Sequence, residues 1–294
     1  MSEFTLILAT GLGLGALYFL AASGLSLIYG LMGVLNFAHS AFMMAGSYAG
    51  WETMQRLPES MSTSLRLGVA VLVALVVGAL IGVVVEVCLI RPLYKHHIQQ
   101  VLVTVGLSLA AVAAAQAVWG ADPKAIDKPG WMAATTDLGG ARLPNDRLLF
   151  VVIAIAVFVG LLALLKYTRL GLIIRAGVEN RTMVEALGIN VRTTFTIVFA
   201  MGGAAAALAG ILYSQYAGSV SPAQGGSLLI YAFIVVVIGG MGSLVGTAVA
   251  AVAVGLVQQL ANYYAVSGVG DLSVVLLLAL VLLLRPASLK GGHG

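Results

Sequence analysis

The sequence predicts an all-α polytopic transmembrane bundle of about eight to ten spans, and three observations predict it. Hydrophobic residues make up 61% of the 294 and charged residues only 9%, against roughly 25% charged in a soluble domain. The apolar runs are long and continuous, as helical spans of about 20 residues require, whereas the strands of a barrel would show about 10 alternating positions. The charges fall mostly between the runs. The chain is read as one transmembrane domain, residues 1–294, with a charged segment at 166–192 inside it.

From Phe4 to Trp51 there is no Asp, Glu, Lys or Arg. That length predicts two spans, at 4–30 and 36–51, with Asn36 and His39 near the start of the second. The first basic residue is Arg56, so the positive n-region of a signal peptide is missing and 4–30 is read as a mature span. A polar segment with Pro58 leads to a third span at 67–90, stopped by Arg91-Pro92, where a cation suits the helix C-terminus and proline ends the turns. A fourth span at 101–119 precedes a charge-balanced loop from Gly120 to Arg147.

A fifth span at 148–165 leads into the charged segment. Beyond it, 194–213 contains GGAAAALAG, a density of small residues that lets helices approach closely in lipid. Segments 227–242 and 247–265 flank Gly239-Gly240-Met241-Gly242-Ser243, either a tight turn or an irregular stretch buried in protein. The last run, Leu272 to Leu284, spans only about 20 Å as a helix. It crosses only by starting near Ser267 and taking Asp271 with it.

Orientation follows from the basic residues. Segments 91–98, 166–192 and 285–294 hold nine of the fifteen Lys and Arg and two acids, which places all three in the cytoplasm and the N-terminus outside. The net charge of +4 therefore reflects orientation in a lipid bilayer and gives no support to a nucleic-acid partner.

No G-x-x-x-x-G-K-[ST] phosphate loop occurs, nor HExxH, GxSxG or CxxC. No catalytic residue, cofactor site or metal site is expected. The G-L-G-L-G at Gly11, Gly13 and Gly15 lacks dinucleotide-loop spacing and reads as a helix-packing face. Glu86, the carboxylate well inside a span, is either a functional intramembrane acid or, lying about one turn from the cytoplasmic end, a structural one satisfied by Arg91 or another basic group, and the structural reading is favoured. Asn36 and His39, three apart and so on one helix face, are either a buried pair that fixes helix contacts or the polar lining of a solute path.

The segment from Lys166 to Arg192 carries five Lys and Arg and two Glu, so it lies outside the membrane as a cytoplasmic loop. Within it, VENRTMVEALG (178–188) suits a short helix. Arg181 and Glu185 are an i,i+4 pair, Met183, Val184 and Leu187 form an apolar side, and Gly188 suits the C′ position. Such a helix either docks on a partner or lies on anionic lipid.

These residues resemble the membrane permeases of ATP-binding cassette importers of the branched-chain amino acid type. RAGVENRTMVEALGINVRTTFTIVFAMGGAAAALAGILY (175–213) is similar to that family's form of the cytoplasmic E-A-A-x-x-x-G loop, carried here by Glu185, Ala186 and Gly188. The resemblance extends over GLGLGALYFLAASGLSLIYGLMGVLNFAHS (11–40), RPLY and TVGLSLA (91–110), AFIVVVIGGMGSLVG (232–246) and LLLRPASLKG (282–291). Ser40, Val245, Ser288 and Lys290 depart from the family pattern.

The resemblance implies a multi-pass permease of the bacterial inner membrane that forms the translocation path. Its partners would be a second permease subunit, two ATPase subunits that use the ATP, and an extracytoplasmic substrate-binding protein delivering a small-molecule solute. Arg175, Glu179, Arg181, Glu185, Ala186, Leu187 and Gly188 would form the ATPase coupling contact, and Asn36 and His39 the path. The solute would be a branched-chain amino acid, another amino acid, or urea or a short amide. A stand-alone ion-coupled carrier or channel remains open from another class, and a passive scaffold from composition alone.

Overall fold

In the computed structural model the described residues are 2–33, 35–94, 96–138, 141–186, 188, 190–265 and 268–284, with only the backbone described at 2, 138, 141, 178–182, 185 and 186. The helices in chain order are α1 (Ser2–Met32), α2 (His39–Arg56), α3 (Thr63–Val85), α4 (His97–Trp119), α5 (Gly130–Ala133), α6 (Asn145–Tyr167), α7 (Arg169–Ala186), α8 (Val191–Ala217), α9 (Gln224–Gly239), α10 (Leu244–Tyr264) and α11 (Val269–Leu284). A π-helical turn at Glu86–Ile90 and a 3₁₀ turn at Arg91–Leu93 prolong α3.

Strands are confined to one end of the bundle. A hairpin joins β2 (Thr135–Leu138) to β3 (Ala141–Pro144), and β1 (Lys124–Ala125) pairs antiparallel with β4 (Ser219–Val220).

Six helices among the described residues are long and apolar enough to cross a membrane: α1, α3 with its extension, α4, α6, α8 and α10. The apolar α9 and α11 are shorter, and α2 is less apolar. All three still belong to the bundle, which bears out the expected all-α polytopic fold. α2 needs no apolar surface because protein encloses it: its residues from His39 to Met44 are all buried.

The predicted start of the second span is corrected by three residues, and Asn36 lies before the helix. Its side-chain oxygen accepts from the Ala38 amide at 3.1 Å and its carbonyl from the His39 amide at 3.2 Å, an Asx-type turn that competes with helix. His39 Nε2 lies 2.9 Å from the Ala21 carbonyl oxygen, partway along α1. α2 therefore begins inside the bundle. α9 does the same, since a Cβ on Gly225 would come 2.2 Å from the Ser40 carbonyl oxygen. Non-helical backbone at such depth is tolerated only where protein surrounds it.

The small-residue expectations hold. A Cβ on Gly255 of α10 would meet the Gly15 nitrogen at 2.4 Å and the Gly11 oxygen at 2.5 Å, so the G-L-G-L-G stretch is a packing face. Gly239 to Ser243 is a tight turn, with Gly240 and Gly242 at φ 88° and 85° and Ser243 Oγ accepting from the Gly246 amide. α8 fills the centre, with Phe195, Phe199, Ala206, Ala209 and Ile211 almost fully buried.

The three tryptophans mark the end of the bundle that holds the strands. Trp51 donates to the Ala125 carbonyl at 2.9 Å, Trp119 to Glu52 at 3.1 Å and Trp131 to Ser64 at 2.8 Å. Half-apolar donors of this kind favour a membrane–water interface. α1 starts at this loop end, Gly13 lying against Arg147. Segments 91–94 and α7 lie at the opposite, basic end, and α11 runs to it, as Leu282 shares a cleft with His97.

Candidate functional site

At the basic end, α7 is one helix of 18 residues and extends the short helix expected at 178–188 toward the N-terminus. Thr168 starts it: its hydroxyl accepts from the Gly171 amide at 3.0 Å, the contact that fixes a helix N-terminus. Ile174 and Val184 are buried and Gly177 lies against Leu31 of α1. The expected apolar side thus divides. Val184 packs within the chain, while Met183 and Leu172 are exposed.

Arg175 is exposed beside the turn that joins α9 to α10, sharing a small pocket with Gly30 and Gly242. Gly188 has φ 78°, the left-handed conformation expected just past a helix end. Asn190 then starts α8 by accepting from the Thr193 amide at 3.3 Å. The side chains of Glu179, Arg181, Glu185 and Ala186, with the Arg181 and Glu185 pair, and residue Leu187 lie outside what is described.

Glu86 occupies the junction of α3 and α8 at the same end. It is fully buried. Arg91 Nη2 donates to its Oε2 at 3.0 Å, the Thr196 hydroxyl donates at 2.7 Å, and the Tyr94 hydroxyl also donates to it. Arg91 is the partner expected from the sequence. Thr196 was not legible there, because the contact from α8 spans 110 residues of sequence.

Deeper in the bundle, the structure separates the two polar residues read as one pair. The His39 ring faces α1, its Cε1 against Gly24, while Asn36 shares a cavity with Gln100 and Thr104 of α4. Asn36 lines this small cavity among the apolar Ile28, Met32, Leu35, Ile90 and Phe199. Its Nδ2 and the Oε1 of Gln100 have no hydrogen-bond partner among the described residues. Just beyond, the Ser40 and Ser108 hydroxyls are 2.7 Å apart and join α2 to α4.

Sequence reasoning missed Gln100, Thr104 and Ser108. Their spacing of four puts them on one helical face, which was the available signal.

A model of the family described as branched-chain amino acid transport system / permease component matches residues 7–284. The high-affinity branched-chain amino acid transport system permease protein LivH of Salmonella typhimurium is 28% identical over 287 residues, covering 96% of this chain and 93% of that protein. The corresponding protein BraD of Pseudomonas aeruginosa is 29% identical over 290 residues, covering 97% and 94%. The fructose import permease protein FruF of Bifidobacterium longum is 29% identical over 260 residues, covering 86% and 69%. No solved structure matches the chain. With the matched region running from α1 to the end of α11, the chain belongs to the branched-chain amino acid ABC transporter permease family and is a multi-pass protein of the inner membrane.

Proposed function

We propose that this chain is the membrane-spanning subunit of an ATP-driven importer for branched-chain amino acids. Separate ATPases would engage it through α7, a second permease subunit would complete the path, and an extracytoplasmic binding protein would deliver solute at the loop end. The observation that carries this reading is α7 itself. It is a helix outside the spans, set against Leu31 of α1 at Gly177, with Ile174 and Val184 buried, and joined to the central α8 through Gly188 and Asn190.

A partner that moves α7 moves α8, and with it every helix packed on α8. ATP binding that favours one arrangement over the other then couples the two sites. Asn36 is assigned to the path and His39 to the contact between α2 and α1. An aliphatic solute is supported by the apolar lining of the clefts beside α4 and by the printed names of LivH and BraD.

Gly188→Val tests the coupling, because a β-branched residue is strained at φ 78°. The variant is expected to insert normally while losing ATPase copurification and leucine-stimulated ATP hydrolysis. If both persist even after residues 178–188 are replaced with a flexible Gly/Ser segment, α7 is not the coupling element.

A further inference from the structure

We propose that the solute path runs along the seam between α2 and α4, and that Ser40, Ser108, Asn36, Gln100 and Thr104 are its closed gate. The inference rests on the permease reading and locates the path within it. Two clefts border α4, one in each half of the bundle. The cleft of about 480 Å³ at the basic end is lined by Tyr29, Leu35, His97, Ile98, Val101 and Phe233. The cleft of about 680 Å³ toward the loop end is lined by Met44, Tyr48, Glu52, Ala111, Ala115 and Trp119.

Between them α2 and α4 close on each other. Leu35 borders both the basic-end cleft and the small cavity that Asn36, Gln100 and Thr104 share with apolar neighbours. One turn further along α4 from Thr104, the Ser40 and Ser108 hydroxyls approach to 2.7 Å and join the two helices. Going along α4, His97, Ile98 and Val101 line one cleft, Gln100 and Thr104 the small cavity, Ser108 meets Ser40, and Ala111, Ala115 and Trp119 line the other cleft. The path is thus closed at one level and open on both sides of it.

The chemistry of the constriction matches the backbone of an amino acid. Asn36 Nδ2 is an amide donor without a partner and Gln100 Oε1 an amide acceptor without one, and both are buried among the described residues. Leaving such groups unpaired in the closed state is costly. A zwitterion passing between them satisfies both, its carboxylate accepting from Asn36 and its ammonium donating to Gln100, while an aliphatic side chain stays in an apolar cleft. α4 is suited to move: only Gln100, Thr104 and Ala115 on it are buried.

The test uses the permease assembled with its ATPases, with Cys88, the chain's single cysteine, replaced as Cys88→Ser. Thr104→Cys and Ser108→Cys are exposed to a charged methanethiosulfonate, without nucleotide and with ATP plus vanadate. A path residue reacts roughly tenfold faster in one state than in the other, as a population shift requires. Leu109→Cys, on the exposed side of α4, stays unreactive in both.

In a second arm the double variant Ser40→Cys, Ser108→Cys is oxidised. Leucine uptake into proteoliposomes is expected to stop and to return on reduction, with ATPase copurification unchanged. Thr104→Cys and Ser108→Cys as unreactive as Leu109→Cys in both states, or undiminished uptake by the cross-linked protein, overturns the gate. Failure of the permease reading is separable, since it shows in the Cys88→Ser protein as missing ATPase association and missing uptake, while the labelling still reads the seam.

Discussion

α4 and α8 have the same mean hydropathy, yet 72% of the apolar window of α8 is buried inside the protein and only 11% of that of α4. Hydropathy reports which solvent a helix tolerates and says nothing of which neighbour it has. In lipid, packing depends on how closely backbones approach, and small residues decide that. On α8, Gly203 lies against Gly78 and Gly210 against Met43, whereas Gly106 of α4 has nothing within 4 Å. One helix is the fixed centre of the bundle, and the other lies against its side.

The largest expected effect tests this difference at its source. A Cβ at position 210 would come 2.0 Å from the Met43 carbonyl oxygen, and one at 203 would come 2.2 Å from the Gly78 carbonyl oxygen. Backbone cannot step aside as a side chain can. Gly210→Leu is therefore expected to cost more than about 3 kcal/mol, beyond the usual range for overpacking, and to abolish monodisperse protein in mild detergent. Gly106→Leu is expected to leave yield and melting temperature unchanged. Equal loss in both variants would mean that α4 is packed as tightly as α8.

A second comparison concerns how the two helices are fastened at the basic end. α8 is tied to α3 through Thr196 and the buried Glu86, which also holds Arg91 and Tyr94. α4 is tied there by the Gln100 side chain, which donates to the Leu93 carbonyl at 2.6 Å. Glu86→Ala removes the acceptor for three donors and leaves Arg91 without its partner. The expected loss is about 3 kcal/mol, the low end for breaking a buried pair, because Arg91 is itself one-third exposed. Glu86→Gln keeps an oxygen for Tyr94 or Thr196 and is expected to lose less, measured by thermal unfolding in the same detergent.

Much of this was legible in the sequence, for identifiable reasons. The spans were set by apolar length, the end of α7 by Gly188, and the partner of Glu86 by its distance of five residues from Arg91. The parity of spans agrees with the contacts, which put α7 and Arg91 at the end away from the start of α1. The starts of α2 and α9 were not legible, because a helix that begins inside protein has no polar boundary to announce it. Asn36 reads as helical by spacing, and only its Asx-type turn takes it off the helix. The face of α4 was legible in principle, but three polar residues spaced by four are averaged away in a window dominated by Leu, Val and Ala.

The smallest effect is the one most specific to α4. Ser108→Ala removes one hydroxyl and its 2.7 Å contact with Ser40. Hydrogen bonds between membrane helices contribute on average about 0.6 kcal/mol and at most about 1.7, and Ser40 keeps a bond to the Phe37 carbonyl at 2.9 Å. The expected loss is therefore about 0.5 kcal/mol, a shift in melting temperature near the limit of measurement. Midway along α4 this hydroxyl contact joins it to α2, with Gln100 and Trp119 fastening its two ends, whereas α8 is wedged along its length between Gly78 and Met43. A loss above about 2 kcal/mol for Ser108→Ala, outside the range for a single bond of this kind, would show that the seam between α2 and α4 is structural and would make the two helices alike after all.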